Sequence, residues 1–312
     1  MIAFVFPGQG TQYVGMGQSI AARYPAAADL FARAGMVLGF DLLALCAAGP
    51  EERLRATENT QPAVLVTGLA CAAALAAHGV RPDAVAGLSL GEYAALVSAG
   101  VMGFEDAVQL VRQRGLFMQE ATAGREVAMA AVIGLEAEKV ERLCAEQRHL
   151  GVVEPANYNG AGQIVVGGDA AAVRGAVAAA KTAGARRAVL LAVSAPFHTS
   201  LMVPAAERLA AVLERVALAD AALPVISNVT AEPVRPAEEI RRLLVRQVAA
   251  PVRWEESVRR MTAMGVSVFI EVGPGTSLSG LIKKIVPATG LHVEDVPTLG
   301  QTLRSLGAQV TS

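Results

Sequence analysis

Residues 83–96 read DAVAGLSLGEYAAL. An apolar run ending at Gly87 gives way to an alanine-rich segment, and Ser89 stands at the junction between Gly87 and Gly91. This is a GxSxG pattern, and its reason is steric. A serine on a sharp strand-to-helix bend is held in a strained backbone conformation, so its flanking glycines must lack side chains to avoid collision. The hydroxyl then projects beyond the sheet edge, above a helix N-terminus. Donors there, beginning with the N–H of Leu90, can hold a developing oxyanion. Ser89 is a candidate nucleophile on this reading, and the competing one is a glycine-lined helix cap.

The same rhythm of strand then helix continues on both sides of the bend. IAFVF (2–6) reads as a short buried strand, turned by PGQGTQYVGMG into a helix over 17–34. An alanine-rich helix spans 62–77 and ends at His78-Gly79, residues that suit a helix C-terminus. The bend joins a strand over 84–88 to a helix over 90–99, and another helix spans 104–122. This repetition predicts an α/β fold with a mainly parallel sheet covered on both faces.

The middle of the chain changes rhythm. A strand over 126–134 and a helix over 136–147 precede two strands, GVVEPANY and GQIVVGG, expected to join through Asn159-Gly160. A helix over 169–184 and a strand over 185–193 follow. The order β-α-β-β-α-β is the ferredoxin-like motif. The expected organisation is a large α/β domain built from 1–124 and 194–312, with a small ferredoxin-like α+β subdomain, 125–193, inserted in it. The large domain resumes with a helix over 201–217, a strand over 223–229, helices over 236–249 and 255–264, and a strand over 266–272 that meets GPG and a last helix.

Composition bounds the rest. The chain has 312 residues, 53% hydrophobic and 18% charged, enough for a sizeable core, and its net charge of −1 includes no long basic run. Neither nucleic acid nor an anionic membrane surface is implied as a partner. The cysteines, Cys46, Cys71 and Cys144, are three in number and far apart, which argues against a disulfide framework or a zinc site and for a reducing cytoplasm. The N-terminus lacks the charge and length of a signal peptide, so the sequon at Asn228 reads as chance. The uncharged stretch 62–80 has the length of a membrane span, but its alanines, Thr67, Gly68 and His78 make it a buried helix.

A serine needs a base to take its proton. Of the four histidines, His78 reads as a helix end, His149 lies in a polar segment, and His292 in the C-terminal tail. His198, in VSAPFHTSLM, follows a strand and precedes a helix, at the same kind of sheet edge as Ser89, and is the candidate general base. Arg114 shares a helix face with Ala107, Leu110 and Val111. An arginine on an apolar face needs a carboxylate or its equivalent. Spacing alone leaves a structural salt bridge and a ligand contact level. PGQGTQ lacks the third glycine of a dinucleotide loop and the GK[ST] of a phosphate loop; Gly8 and Gly10 instead let the backbone around Gln9 approach something closely.

Together, FVFPGQGTQ (4–12), TQPA (60–63), GLSLGEYAAL (87–96), RGLFMQEA (114–121), SAPFHTSLM (194–202), LVRQVAAPVRW (244–254) and EVGPGTSLSGLIKK (271–284) resemble the malonyl-CoA:acyl-carrier-protein transacylase family, in order and over nearly the whole chain. The resemblance implies a hydrolase-like α/β domain with a ferredoxin-like insertion. It implies Ser89 as the acylated nucleophile, His198 as its base, and Gln247 as the residue whose backbone carbonyl orients the imidazole. The N–H groups of Gln9 and Leu90 would form the oxyanion hole, and Arg114 would grip the free carboxylate of the malonyl group. Phe197 resembles malonyl-selective members, its ring leaving little room for a branching methyl. The substrate implied is malonyl-CoA and the partner an acyl carrier protein, with no permanently bound cofactor or metal. One departure stands out. Leu88 replaces the family's usual histidine, as in stand-alone acyltransferases that serve polyketide synthases in trans, so fatty-acid and polyketide supply stay open. A thioester hydrolase on the same elbow and a non-catalytic scaffold are the rival readings.

Overall fold

The structure is a computed structural model that describes residues 1–193 and 195–307. Its main sheet has six strands. In spatial order these are Thr289–Val293, Val268–Val272, Ile2–Phe6, Ala84–Gly87, Val225–Ile226 and Pro233–Val234. All neighbours run parallel except the last pair. Ile2–Phe6 and Ala84–Gly87 are almost wholly buried, as expected of strands covered by helices on both sides. The helix Thr57–Ala77 packs inside this core, which places the long apolar stretch in the protein interior.

A second sheet of four strands is antiparallel throughout, in the order Val153–Gly160, Gln163–Asp169, Val127–Ile133, Arg187–Leu191. The helices Ala137–Glu146 and Ala170–Thr182 cover one face. Met129, Ala156 and Val165 form a small cluster with Leu191 and Phe197 on their margin. This is the β-α-β-β-α-β order read from the sequence. Backbone bonds from Val252 to Ala156 (2.9 Å) and from Tyr158 to Val252 (2.9 Å) tie this sheet to the segment just after Gln247.

Several elements depart from expectation. The helix over 17–34 is two helices, Gln18–Arg23 and Pro25–Leu38, because Pro25 cannot continue a helix and instead starts one, leaving Tyr24 extended. The helix expected at 62–77 begins at Thr57, with Pro62 inside it. The hairpin turns at Ala161-Gly162, not Asn159-Gly160. Both turn residues have positive φ, 52° and 68°, while Asn159 and Gly160 belong to the strand before it. The helix over 201–217 is a short 3₁₀ turn followed by Val203–Leu213. His292 lies on the edge strand Thr289–Val293 and not in a tail. The helices Leu42–Ala48, Glu51–Arg55 and Val296–Ser305 and that edge strand were not foreseen. Ser194, where the return to the large domain is expected to begin, lies outside the described residues.

Candidate active site

Three neighbouring strands of the main sheet end at one place. Ile2–Phe6 runs into the Gly8–Gly10 turn, Ala84–Gly87 into Ser89, and Val225–Ile226 into Asn228. The carboxyl edge of a parallel sheet is where such folds collect reactive groups.

The bend at Ser89 has the geometry its sequence predicts. Ser89 sits at φ 53°, in the left-handed region. A Cβ on Gly87 would fall 1.9 Å from the backbone carbon of Gly91, and one on Gly91 would fall 2.0 Å from the carbonyl oxygen of Phe6. No side chain can be fitted at either position without moving backbone. Asn228 locks the bend. Its Oδ1 accepts from the Ser89 N–H at 2.6 Å, and its Nδ2 donates to the Gly87 carbonyl at 2.6 Å. Asn228 is wholly buried, so its sequon is not available on the folded chain.

His198 also has a positive φ, 63°, and its ring is buried. Its Nδ1 lies 2.8 Å from the backbone oxygen of Gln247, and its Nε2 lies 2.7 Å from Ser89 Oγ. A carbonyl can only accept, so Nδ1 carries the proton and Nε2 presents its lone pair to the serine hydroxyl. Gln247 lies in the last turn of the helix Ala237–Val248, where carbonyls have no partner within the helix. Burial pulls the imidazole down to about 4, helped by the positive charge of Arg114 and opposed by the backbone bonds to Gln247 and Ala250. The ring is thus a neutral base at physiological pH.

Arg114 is 2% exposed, on the helix Phe104–Glu120. Its partners are not carboxylates. Nη1 donates to Gln61 Oε1 at 3.0 Å, and Nη2 donates to Ser89 Oγ at 3.0 Å and to Gln247 Oε1 at 3.1 Å. Its Nε is buried without a hydrogen-bond partner among the described residues. Gly115 permits this placement: a Cβ there would lie 3.0 Å from the backbone of Thr57 and Glu58, so the helix bearing Gln61 can come close. The Ser89 hydroxyl therefore donates to His198 and accepts from Arg114.

The Gly8 turn closes the site from another side. A Cβ on Gly8 would meet the Leu88 carbonyl oxygen at 2.6 Å, so the backbone before Gln9 rests directly on the bend. The N–H groups of Gln9 and Leu90 donate to no protein acceptor among the described residues. Phe197 packs on the inner cluster of the second sheet, against Met129, Ala156 and Val165. Every site residue expected from the sequence thus lies near this edge: Ser89, His198, Gln247 and Arg114 in direct contact, with Leu90, Gln9 and Phe197 beside them.

Four residues escaped the sequence reading: Asn228, Glu92, Gln61 and Tyr93. Glu92 is 3% exposed, and its Oε2 accepts from Gln247 Nε2 at 2.7 Å and from the Asn228 N–H at 3.2 Å. Burial pushes its carboxyl up to about 7, against those hydrogen bonds and the charge of Arg114. Tyr93 packs its ring against the Arg114 guanidinium, 5.4 Å from carbon to ring centre. Gln61, Glu92 and Tyr93 lie inside stretches that carry the family resemblance, TQPA and GLSLGEYAAL, but nothing in their spacing singles them out, and Asn228 shows only as part of a sequon.

Comparison with known proteins gives a consistent result. Residues 3–305 match the family described as the acyl transferase domain. The malonyl CoA-acyl carrier protein transacylase of Bacillus subtilis (strain 168) is 47% identical over 285 residues, which is 91% of this chain and 90% of that protein. That of Escherichia coli (strain K12) is 48% identical, over 91% and 92%. The solved malonyl CoA-acyl carrier protein transacylase of Coxiella burnetii superposes with a TM-score of 0.95 at 42% identity, covering 98% of this chain and 97% of that one. A malonyl-transacylase solved in complex with its type II PKS acyl-carrier protein gives 0.95 at 45%, covering 97% and 99%. The chain belongs to the acyl transferase domain family and, within it, to the malonyl-CoA:acyl-carrier-protein transacylases.

Proposed function

We propose that this chain transfers a malonyl group from malonyl-CoA to the phosphopantetheine thiol of an acyl carrier protein, through an ester on Ser89. The observation that carries the reading is the position of Ser89 Oγ, 2.7 Å from His198 Nε2 and 3.0 Å from Arg114 Nη2. His198 takes the hydroxyl proton as the oxygen attacks the thioester carbonyl. The tetrahedral oxyanion forms against the N–H groups of Gln9 and Leu90; losing one such donor typically costs roughly 10²–10³ in rate. The imidazolium returns its proton to the departing coenzyme A thiolate. The carrier thiol then attacks malonyl-Ser89, with His198 again moving the proton, which makes the reaction ping-pong.

Two features support malonyl as the acyl group. Arg114 has amide and hydroxyl partners and an unpartnered Nε, so its charge is free to meet a substrate carboxylate through parallel hydrogen bonds. Phe197 precedes His198 and packs against Met129, Ala156 and Val165, and we read its ring as leaving little room for a branching methyl. Gln247 orients the imidazole through its carbonyl, and among the described residues no carboxylate is hydrogen-bonded to the ring. We read 1–124 with 194–312 as the catalytic body and 125–193 as the inserted subdomain. The three cysteines are buried and unpaired, in keeping with a cytoplasmic setting. The product supplies fatty-acid or polyketide assembly.

The test compares malonyl-CoA turnover with and without carrier protein bearing its thiol. Transfer predicts coenzyme A release in strict proportion to malonyl-carrier formed. Rapid release of free malonate without carrier would instead make the chain a thioester hydrolase.

A further inference from the structure

Arg114 is a buried cation whose hydrogen-bond partners are all neutral. A buried positive charge needs a negative one close by. The structure holds it one amide away. Gln247 receives Arg114 Nη2 on its Oε1 at 3.1 Å, and its Nε2 donates to Glu92 Oε2 at 2.7 Å and to the Ser89 carbonyl at 2.9 Å. The same Glu92 oxygen accepts the N–H of Asn228, the residue that locks the serine bend. Glu92 thus joins the helix carrying Gln247, which touches both the base and the cation, to the residue that locks the nucleophile's bend, from a place closed to water.

We propose that Glu92 is the charge-balancing partner of Arg114, coupled to it through the Gln247 amide, and that ionised Glu92 becomes protonated when a substrate carboxylate binds the guanidinium. This rests on the reading that the site accepts malonyl. Once malonyl enters, two carboxylates share one guanidinium, and one of them is driven to the neutral form. The malonyl carboxylate is strongly acidic, whereas Glu92 already sits near neutrality because it is buried. The proton comes from solvent and ends on a Glu92 oxygen; no covalent bond forms or breaks. The other charged or titratable groups facing Glu92 do not titrate in that range: Arg114 stays a cation, the Tyr93 hydroxyl is pushed up to about 12 by burial, and His198 is held down at about 4. An acetyl group brings no second charge and needs no proton.

The experiment uses the full chain with Ser89→Ala, which binds acyl-CoA but cannot be acylated. Calorimetry from pH 6 to 8.5, in two buffers of different ionisation heat, reads Kd and the protons taken up. Acetyl-CoA serves as the control for titration of the coenzyme A phosphates. Each unit by which the bound carboxylate raises Glu92 weakens malonyl binding by up to about tenfold above the titration point. The expected result is a rise in malonyl-CoA Kd of about five- to tenfold across the range, with net proton uptake largest between pH 7 and 8. Acetyl-CoA should show neither beyond its own background. Adding Glu92→Gln should flatten the malonyl profile. Malonyl and acetyl profiles of the same shape, with no excess proton uptake, overturn the proposal without any Glu92 variant having to fold. Malonyl-CoA that fails to bind at every pH overturns the malonyl reading itself, and this inference with it.

Discussion

Replacing Arg114 with alanine separates what the guanidinium does for every acyl group from what it does for malonyl alone. Two losses are predicted. The first is common. Arg114 Nη2 donates to Ser89 Oγ at 3.0 Å, a charged hydrogen bond that steadies the serine oxygen whatever acyl group arrives. Such a bond contributes about 1.5–3 kcal/mol, or roughly one to two orders of magnitude in rate. Part of this is returned, because Arg114 is one of the influences that hold His198 down, and without it the imidazole becomes a stronger base. The second loss falls only on malonyl. A carboxylate left without its partner in a buried site costs about 3–5 kcal/mol, which is about two to nearly four orders of magnitude. The assay is single-turnover acylation of the enzyme by malonyl-CoA and by acetyl-CoA, reported as the ratio of their kcat/KM values. Arg114→Ala should lower that ratio by about 10²–10³ or more. The Gln61 and Gln247 oxygens lose their donor, at about 1–3 kcal/mol each, so a lower melting temperature is expected and does not bear on the ratio. A ratio that stays put while both rates fall would mean Arg114 serves only to hold Ser89, and the carboxylate-recognition argument would be wrong.

Other consequences are testable in the same preparations. Gly8→Ala forces a Cβ to 2.6 Å from the Leu88 carbonyl and should shift the Gln9 N–H, lowering kcat about tenfold or more while leaving malonyl-CoA affinity within about twofold. Asn228→Ala removes both clamps on the serine bend, and Ser89 acylation should slow by at least about tenfold with the chain still folded, as followed by circular dichroism. His198 is pulled down from 6.5 to about 4, so the unfolded chain binds a proton that the folded chain refuses. Its contribution to stability is full above pH 6.5 and is lost as pH falls through about 4. Thermal melts from pH 7 to 4 should therefore drop more steeply for the natural chain than for His198→Gln, and equal slopes would contradict the burial argument.

The serine bend was legible because its constraint is steric and local. Backbone contacts at 1.9 and 2.0 Å exclude every residue but glycine at positions 87 and 91, and that exclusion is written in the sequence itself. Arg114 was legible for a similar reason, since helical spacing put a charge on a buried face, although spacing could not say what it met. The partners that decide its role come from far along the chain. Gln61 and Gln247 reach it only through tertiary packing. Asn228 read as a chance sequon, yet it clamps a residue 139 positions away. Glu92 is an acid in the first turn of a helix, a common place for one, and only its burial sets it apart. The edge strand Thr289–Val293 was missed because it is largely uncovered, so the apolar pattern that betrays buried strands is weak there. The hairpin shifted because Ala161 adopts a positive φ that an alanine seldom takes, which drew the reading to the Asn-Gly pair before it.

The acyl-serine intermediate is open to direct measurement. The protein is mixed with malonyl-CoA, its intact mass is recorded, the modified peptide is mapped, and carrier protein bearing its thiol is then added. The mass should rise by one malonyl group, located at Ser89, and return to its starting value as malonyl-carrier appears, while Ser89→Ala gains nothing. Turnover that proceeds with no adduct, or with the adduct on another side chain, would contradict the account.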